Sequence, residues 1–242
     1  MRRDCHYAAV ALIAKRAKRP DYPCIAWAGF QVDCCKGMGF HTQVNPLNFI
    51  YSWAGVYFHF LPGENESNKL ITTAASKCVM KVMEEAIYSG NAIRIGMAAH
   101  AFLDSYSHED FMGRINKYNS APLWQEGWKA VIPDFGHSDF LTNPDETHLQ
   151  WFDSRQQKMV DNQAKFTVAL DKLATILGVP IDEREDFLVV VKNPSYDRRK
   201  AAWLDMAGVK PFSVIQKEMW DLHKSDFKRA AKQQIEIVRS FL

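Results

Sequence analysis

The chain has 242 residues, 47% of them hydrophobic, with 30 Lys and Arg against 28 Asp and Glu. That is ample for one sizeable core, and the near-balance of charge excludes an acidic tail or a basic surface built to carpet nucleic acid. No stretch reaches the ~20 apolar residues of a membrane span, no secretory signal opens the chain, and the five cysteines form no C-x-x-C pair, so the reading is a cytoplasmic protein with reduced thiols.

Asp4 is placed to cap a first helix running to about Lys18, with His6 in its first turn and Pro20 ending it. Asp21 and Pro23 open a second helix that reaches about Asp33 and is closed by Gly37-Met38-Gly39. Asp33 then lies in the last turn, where a carboxylate opposes the negative end of the helix dipole, a placement that a cation or a basic partner explains. From Phe40 to Glu66 the periodicity is poor, which predicts loop, with an extended piece around Val56 to Phe60 that carries His59 among aromatic residues. Ser67 caps a predicted helix through Ala75, Val79, Val82 and Ile87, ended by Gly90. A further helix runs from Asn91 to Phe111, and residues 114–150 form a second long irregular stretch. Helices are predicted near 152–177, 182–192, 196–207 and 212–240. The short basic runs Lys15 to Arg19 and Arg198 to Lys200 fit solvated helix ends, and His223 fits a surface position among Asp221, Lys224 and Asp226. The expected fold is all-α: one helical bundle over residues 1–242 with two long loops, in which 1–150 carries the candidate ligands and 151–242 supports them.

The segment 91–111 organises the rest. At ~3.6 residues per turn, positions four apart share a face, so His100, Asp104 and His108 form one polar stripe. Met97, Ala98, Ala99, Phe102, Leu103 and Tyr106 surround it, the pattern of a helix buried on every side. Two imidazoles and a carboxylate inside a core cost several kcal/mol if nothing satisfies them, and a divalent metal does so. Each of these residues taken singly reads as a hydrogen-bonded core group; it is their number that points to metal. His6 with Asp4, His59, and His137 between Asp134 and Asp139 add to the set. A stripe ~12 Å long cannot converge on one ion, so more than one metal is implied.

Other metal architectures fail on inspection. The chain has no His-Asp dipeptide, no Glu-x-x-His pair of a di-iron bundle, no H-E-x-x-H, no G-x-S-x-G and no Gly-Lys-Ser/Thr phosphate loop. What remains resembles the zinc-dependent phospholipase C and single-strand nuclease superfamily, through His100-x-x-x-Asp104, His108 shortly after it, His137 further on, and His6, Asp33 and His59 upstream. In closer detail it resembles an uncharacterised microbial family with Asp-x-His, His-Phe-x-Pro-Gly and Gly-His…Pro-Asp motifs. These are here Asp4-Cys5-His6, His59-Phe60-Leu61-Pro62-Gly63, and Gly136-His137 with Pro144-Asp145.

The resemblance implies an all-helical, phospholipase C/nuclease-like fold and two or three zinc ions. Asp33, His59 and His100 would bind one ion, His6 and Asp104 a second, and His108 with His137 a third. Two departures stand out. Those enzymes use the amino group of a processed N-terminus, for which Asp4 is the substitute here. They also carry Glu four residues after the last histidine, where this chain has Leu141, so that Asp145 or Asp139 must serve. The function so implied is metal-dependent hydrolysis of a phosphoester in a small-molecule or phosphodiester substrate, with Asp33 also orienting the attacking water. Tyr51, Trp53, Tyr57, Phe58, Trp124 and Trp128 could wall the cleft, but most of them read first as core packing. Two alternatives are open at this point: a redox enzyme with iron or manganese on the same ligands, and a non-catalytic interaction protein that metal stabilises.

Overall fold

A computed structural model describes residues 4–39, 53–120 and 134–242, apart from the side chain of Asp139. Tyr51, Trp124 and Trp128, with the rest of residues 40–52 and 121–133 in the two long loops, lie outside the described residues. The chain begins with a π-helical turn, Asp4–Ala9, which runs into α1 (Val10–Arg16). Tyr22–Cys34 forms α2, with Asp21 at the N-cap position and a proline in the first turn. A second π-helical turn, Gly55–His59, follows. Next come α3 (Lys77–Tyr88) and α4 (Ala92–Ser107). The Asn91 side chain caps α4, accepting from the amides of Ile93 and Arg94 at 3.0 Å each. After a pair of short antiparallel strands, β1 (Gln150–Asp153) and β2 (Lys158–Asp161), the chain is helical again. These helices are α5 (Asn162–Leu177), α6 (Glu185–Val190), α7 (Tyr196–Ala207) and α8 (Phe212–Arg239).

The result is a mostly helical single domain with α4 at its centre, packed against α2, α3, α5 and α8. Every residue of α4 from Ile95 to Ser107 is buried, so the polar stripe does lie inside the protein. The crossing of α2 over α4 is unusually close. A Cβ at Gly96 would sit 2.1 Å from the Ile25 carbonyl oxygen, and one at Gly29 would sit 3.1 Å from that of Gly96. Two glycines thus let the backbones touch, which brings the end of α2, with Asp33, toward the middle of α4.

Several sequence expectations give way here. The piece around Val56 to Phe60 is a π-helical turn rather than extended, so His59 and Tyr57 do not alternate across a strand. The third helix starts at Lys77 with Ser76 as its cap, not at Ser67. Residues 71–72 instead pair with 110–112: the Thr72 amide donates to the Phe111 carbonyl and the Asp110 amide to that of Thr72, both at 2.9 Å. That non-local pairing overrides local helix preference. Helix α4 ends at Ser107 rather than Phe111, because the chain turns through Asp110 at φ +67°. Residues 152–161 belong to the hairpin, not to a helix. Asp153 accepts the amides of Arg155 and Gln156 in a tight turn, and Trp151 pairs with Val160 across the strands.

The two surface assignments also change. Arg199 is 0% exposed, on the face of α7 that it shares with Trp203 and Ala207. His223 is half-buried over the Trp27 ring, at 5.8 Å between centroids. No disulfide joins the five cysteines, and among the described residues no helix is long and apolar enough to cross a membrane.

Candidate metal centre

Asp104 is the hub. Burial alone would raise its carboxyl, yet the positive charge around it, with His108, His100 and His6 contributing, holds it well below the usual carboxylate range. It is therefore ionised, and its two oxygens face different partners. Oδ1 lies 2.9 Å from His6 Nε2, while Oδ2 lies 2.9 Å from His59 Nδ1 and 3.1 Å from His100 Nε2. His59 Nδ1 and His100 Nε2 are 3.1 Å apart, and Asp33 Oδ1 is 4.0 Å from His59 Nδ1. The His6 and His100 rings stack at 3.9 Å between centroids.

The elements that deliver these side chains are distinct. His6 comes from the first π-turn, His59 from the last residue of the second, Asp33 from the final turn of α2, and His100 and Asp104 from one face of α4. A π-turn widens the helix by a residue and so re-aims the side chain at its end, a device frequent at functional sites. His108, the C-cap of α4, keeps its place on the stripe, its Nδ1 lying 3.8 Å from Asp104 Oδ2. Its Nδ1 donates to the His59 carbonyl at 2.9 Å, and its ring stacks on Phe60 at 4.2 Å between centroids. That turns Nε2 toward Asp145 Oδ1, 3.4 Å away, while His137 Nε2 lies 3.4 Å from Asp145 Oδ2.

Among the described residues three groups of donor atoms result, each with its atoms within 4.8 Å of one another: His6, His100 and Asp104; Asp33, His59 and His100; His108, His137 and Asp145. The residue chemistry fits a metal. Zinc bonds of ~2.0–2.1 Å in a tetrahedron place neighbouring ligand atoms about 3.4 Å apart, which is the scale of the contacts above. Burial, with the charge of His6 beside it, lowers the His100 imidazole to about 4, so at neutral pH it is uncharged with a lone pair available. Burial lowers His137 as well. For His59, burial pulls the imidazole down, but Asp104 and Asp33 beside it more than offset this and raise it. Burial would raise the Asp145 carboxyl, but surrounding positive charge, His137 and His108 included, holds it well below the ordinary range.

The imidazole nitrogens pointing away from the groups are also informative. His59 Nε2 donates to the Met38 carbonyl at 3.0 Å and His137 Nδ1 to that of Leu141 at 2.8 Å. A carbonyl can only accept, so these contacts, with that of His108, fix the tautomers and leave the lone pairs facing the groups. Leu141 contributes its backbone rather than a side-chain ligand, and it does so from a left-handed conformation at φ +52°. Asp145 occupies the third group, further oriented by the Ser107 hydroxyl at 2.7 Å. Asp4 falls in none of the three groups; its carboxylate Oδ2 accepts from Arg199 Nε at 2.8 Å. Of the aromatic wall, Phe58 is a core residue, whereas Trp53 is partly exposed and stacks on Tyr57 at 6.2 Å between centroids.

Sequence reading missed Arg199, Met38 and Leu141. Backbone carbonyls leave no trace in a sequence. Arg199 did leave one, since it precedes Trp203 by four residues and Ala207 by eight on a single helical face.

Fold and site together define a mostly helical single domain whose interior gathers His and Asp into groups able to hold metal ions. The chain belongs to the Family of unknown function (DUF6765), which it matches over residues 1–241. Neither a curated protein nor a solved structure matches it.

Proposed function

We propose that the protein is a metal-dependent hydrolase of phosphoesters with a multinuclear His/Asp centre, zinc being the metal the donors suit best. The observation that carries this reading is the Asp104 carboxylate, whose two oxygens serve His6 on one side and His59 with His100 on the other. One carboxylate facing two sets of donors is the arrangement that holds two ions close together. Bound ions of this kind make hydroxide available near neutral pH and stabilise both the attacking and the leaving oxygen of a displacement at phosphorus.

The chain's own residues divide the remaining work. His100 offers only Nε2 to both groups that contain it, and one lone pair serves one ion. Asp33, His59, His100 and one oxygen of Asp104 therefore make the better-furnished position, and His6 with the other oxygen of Asp104 makes a sparser one. Access is from the side of Asp33, His137 and Asp145, whose side chains are 19%, 16% and 24% exposed, while those of His6, His100 and Asp104 are within 2% of full burial. Asp33 is thus placed to hold the attacking water and accept its proton.

Elemental analysis of the purified chain tests this directly. Two or three zinc ions per chain support the hydrolase reading and justify a phosphoester screen. Iron or manganese with oxygen consumption replaces it with redox chemistry, and a chain that stays metal-free after reconstitution overturns it. A finer check is Asp145→Ala. The third group loses its one carboxylate among the described residues, so one ion per chain should be lost while the ions around Asp104 stay, read by titration against a chromophoric chelator. Loss of all ions in that variant would contradict a separable third position.

A further inference from the structure

Three of the five candidate histidine ligands have a backbone carbonyl on the nitrogen that faces away from the metal groups, as described for His59, His108 and His137. His6 does not. Its Nδ1 is buried and meets no hydrogen-bonding partner. Oδ1 of Asp4 on the same π-turn, Nη2 of Arg199 and Nδ1 of His100 are buried in the same condition. The rest of that ion pair is fully engaged: Arg199 Nε donates to Asp4 Oδ2 at 2.8 Å and Nη1 to the Asn193 carbonyl at 2.6 Å. Asp4 is 1% exposed and Arg199 0%, and the two are separated by 195 residues in the chain.

A fully buried ion pair is a poor stabiliser, since an apolar pair of the same volume does as well or better, so its retention asks for another role. A metal-bound imidazole almost always donates its second N–H to an acceptor, a carboxylate among the commonest, and this fixes its orientation. Asp4 Oδ1 is the unused carboxylate oxygen on the turn that carries His6. His6 Nδ1–H and Arg199 Nη2–H as donors and Asp4 Oδ1 as acceptor are the kinds of group that one buried water bonds.

We infer that Arg199 and Asp4 are positioning residues for His6, forming a guanidinium–carboxylate–imidazole relay closed by one water, and that they set the occupancy of the His6–Asp104 metal position. This rests on the metal-centre reading above. It also gives the C-terminal helices a role in the centre, since α7 reaches back across the whole chain to aim a ligand carried by the first turn.

Single variants leave a lone buried charge and can fail to fold, so the deciding variant is the double replacement Asp4→Asn/Arg199→Met, which removes both charges at similar volume. The measurements are zinc titration and the Co(II) absorption of the substituted protein, with the thermal midpoint of the metal-free form as the control for folding. Positioning predicts a metal-free midpoint near that of the unaltered chain, a 10- to 100-fold weaker affinity at one position, on the order found for other outer-shell losses, and a changed Co(II) spectrum. Full affinity and an unchanged spectrum in the folded double variant overturn the relay and leave the metal centre standing. An unaltered chain that binds neither zinc nor cobalt overturns both. If the double variant is itself destabilised, Arg199→Lys decides: it keeps the charge and the contact to Asp4 but not the fork, so retained stability with weakened binding supports the relay, and retained binding refutes it.

Discussion

Replacing His100 with alanine is expected to strip the protein of the ions around Asp104 and to lower any metal-dependent turnover by more than ~100-fold, the upper range for losing even an outer-shell contact. His100 belongs to two of the three donor groups, and its Nε2 stands 3.1 Å from both His59 Nδ1 and Asp104 Oδ2. Its removal leaves Asp33 and His59 without their third partner and takes away the ring on which His6 stacks. The His108, His137 and Asp145 group does not include it, so one ion per chain should survive. Elemental analysis after dialysis reads the result, with His223→Ala as the comparison, since His223 contacts the Trp27 ring and none of the groups. Full metal content in His100→Ala would sink the assignment of the centre.

Gly96→Ala should cost about 3 kcal/mol or more of stability, the upper part of the range for overpacking a tight interior. Alanine in place of glycine within a helix is ordinarily worth ~1 kcal/mol in the favourable direction, so helix propensity alone predicts the opposite sign. Sterics decide here. The new methyl would stand 2.1 Å from the Ile25 carbonyl oxygen and 2.9 Å from the Gly29 amide nitrogen, and backbone atoms of a neighbouring helix cannot rotate away. Relief requires α2 and α4 to part, which draws Asp33 away from His59 and His100. A urea titration should show a lower midpoint at an unchanged slope, together with weaker metal binding. A midpoint equal to that of the unaltered chain would mean that the helices do not cross this closely.

Much of the site was legible in the sequence because it depends on helical period. His100 and Asp104 are four residues apart in a run that is apolar on every other face, and no tertiary information is needed to see that they share a side. The starts of α2 after Asp21 and of α4 after Asn91 were equally readable, since Pro23 and the polar residue ahead of an apolar run are local signals. What period alone could not supply was any register that long-range pairing sets. The strand-like pairing of residues 71–72 with 110–112 goes with a later start of α3 and an earlier end of α4, and at that end His108 turns Nε2 toward Asp145.

The sequence by itself determined that this chain makes one helical domain with His and Asp collected inside it, because composition, helical spacing and the cost of burying bare polar groups are properties of the chain alone. Only the tertiary structure decided how those residues divide into groups, that Asp145 lies with His108 and His137, and that Asp4 faces Arg199. Each of those outcomes depends on which atoms from distant segments come within about 3 to 4 Å of one another. That is set by helix crossings such as Gly29 on Gly96, where contact distance, and not residue pattern, is the controlling quantity.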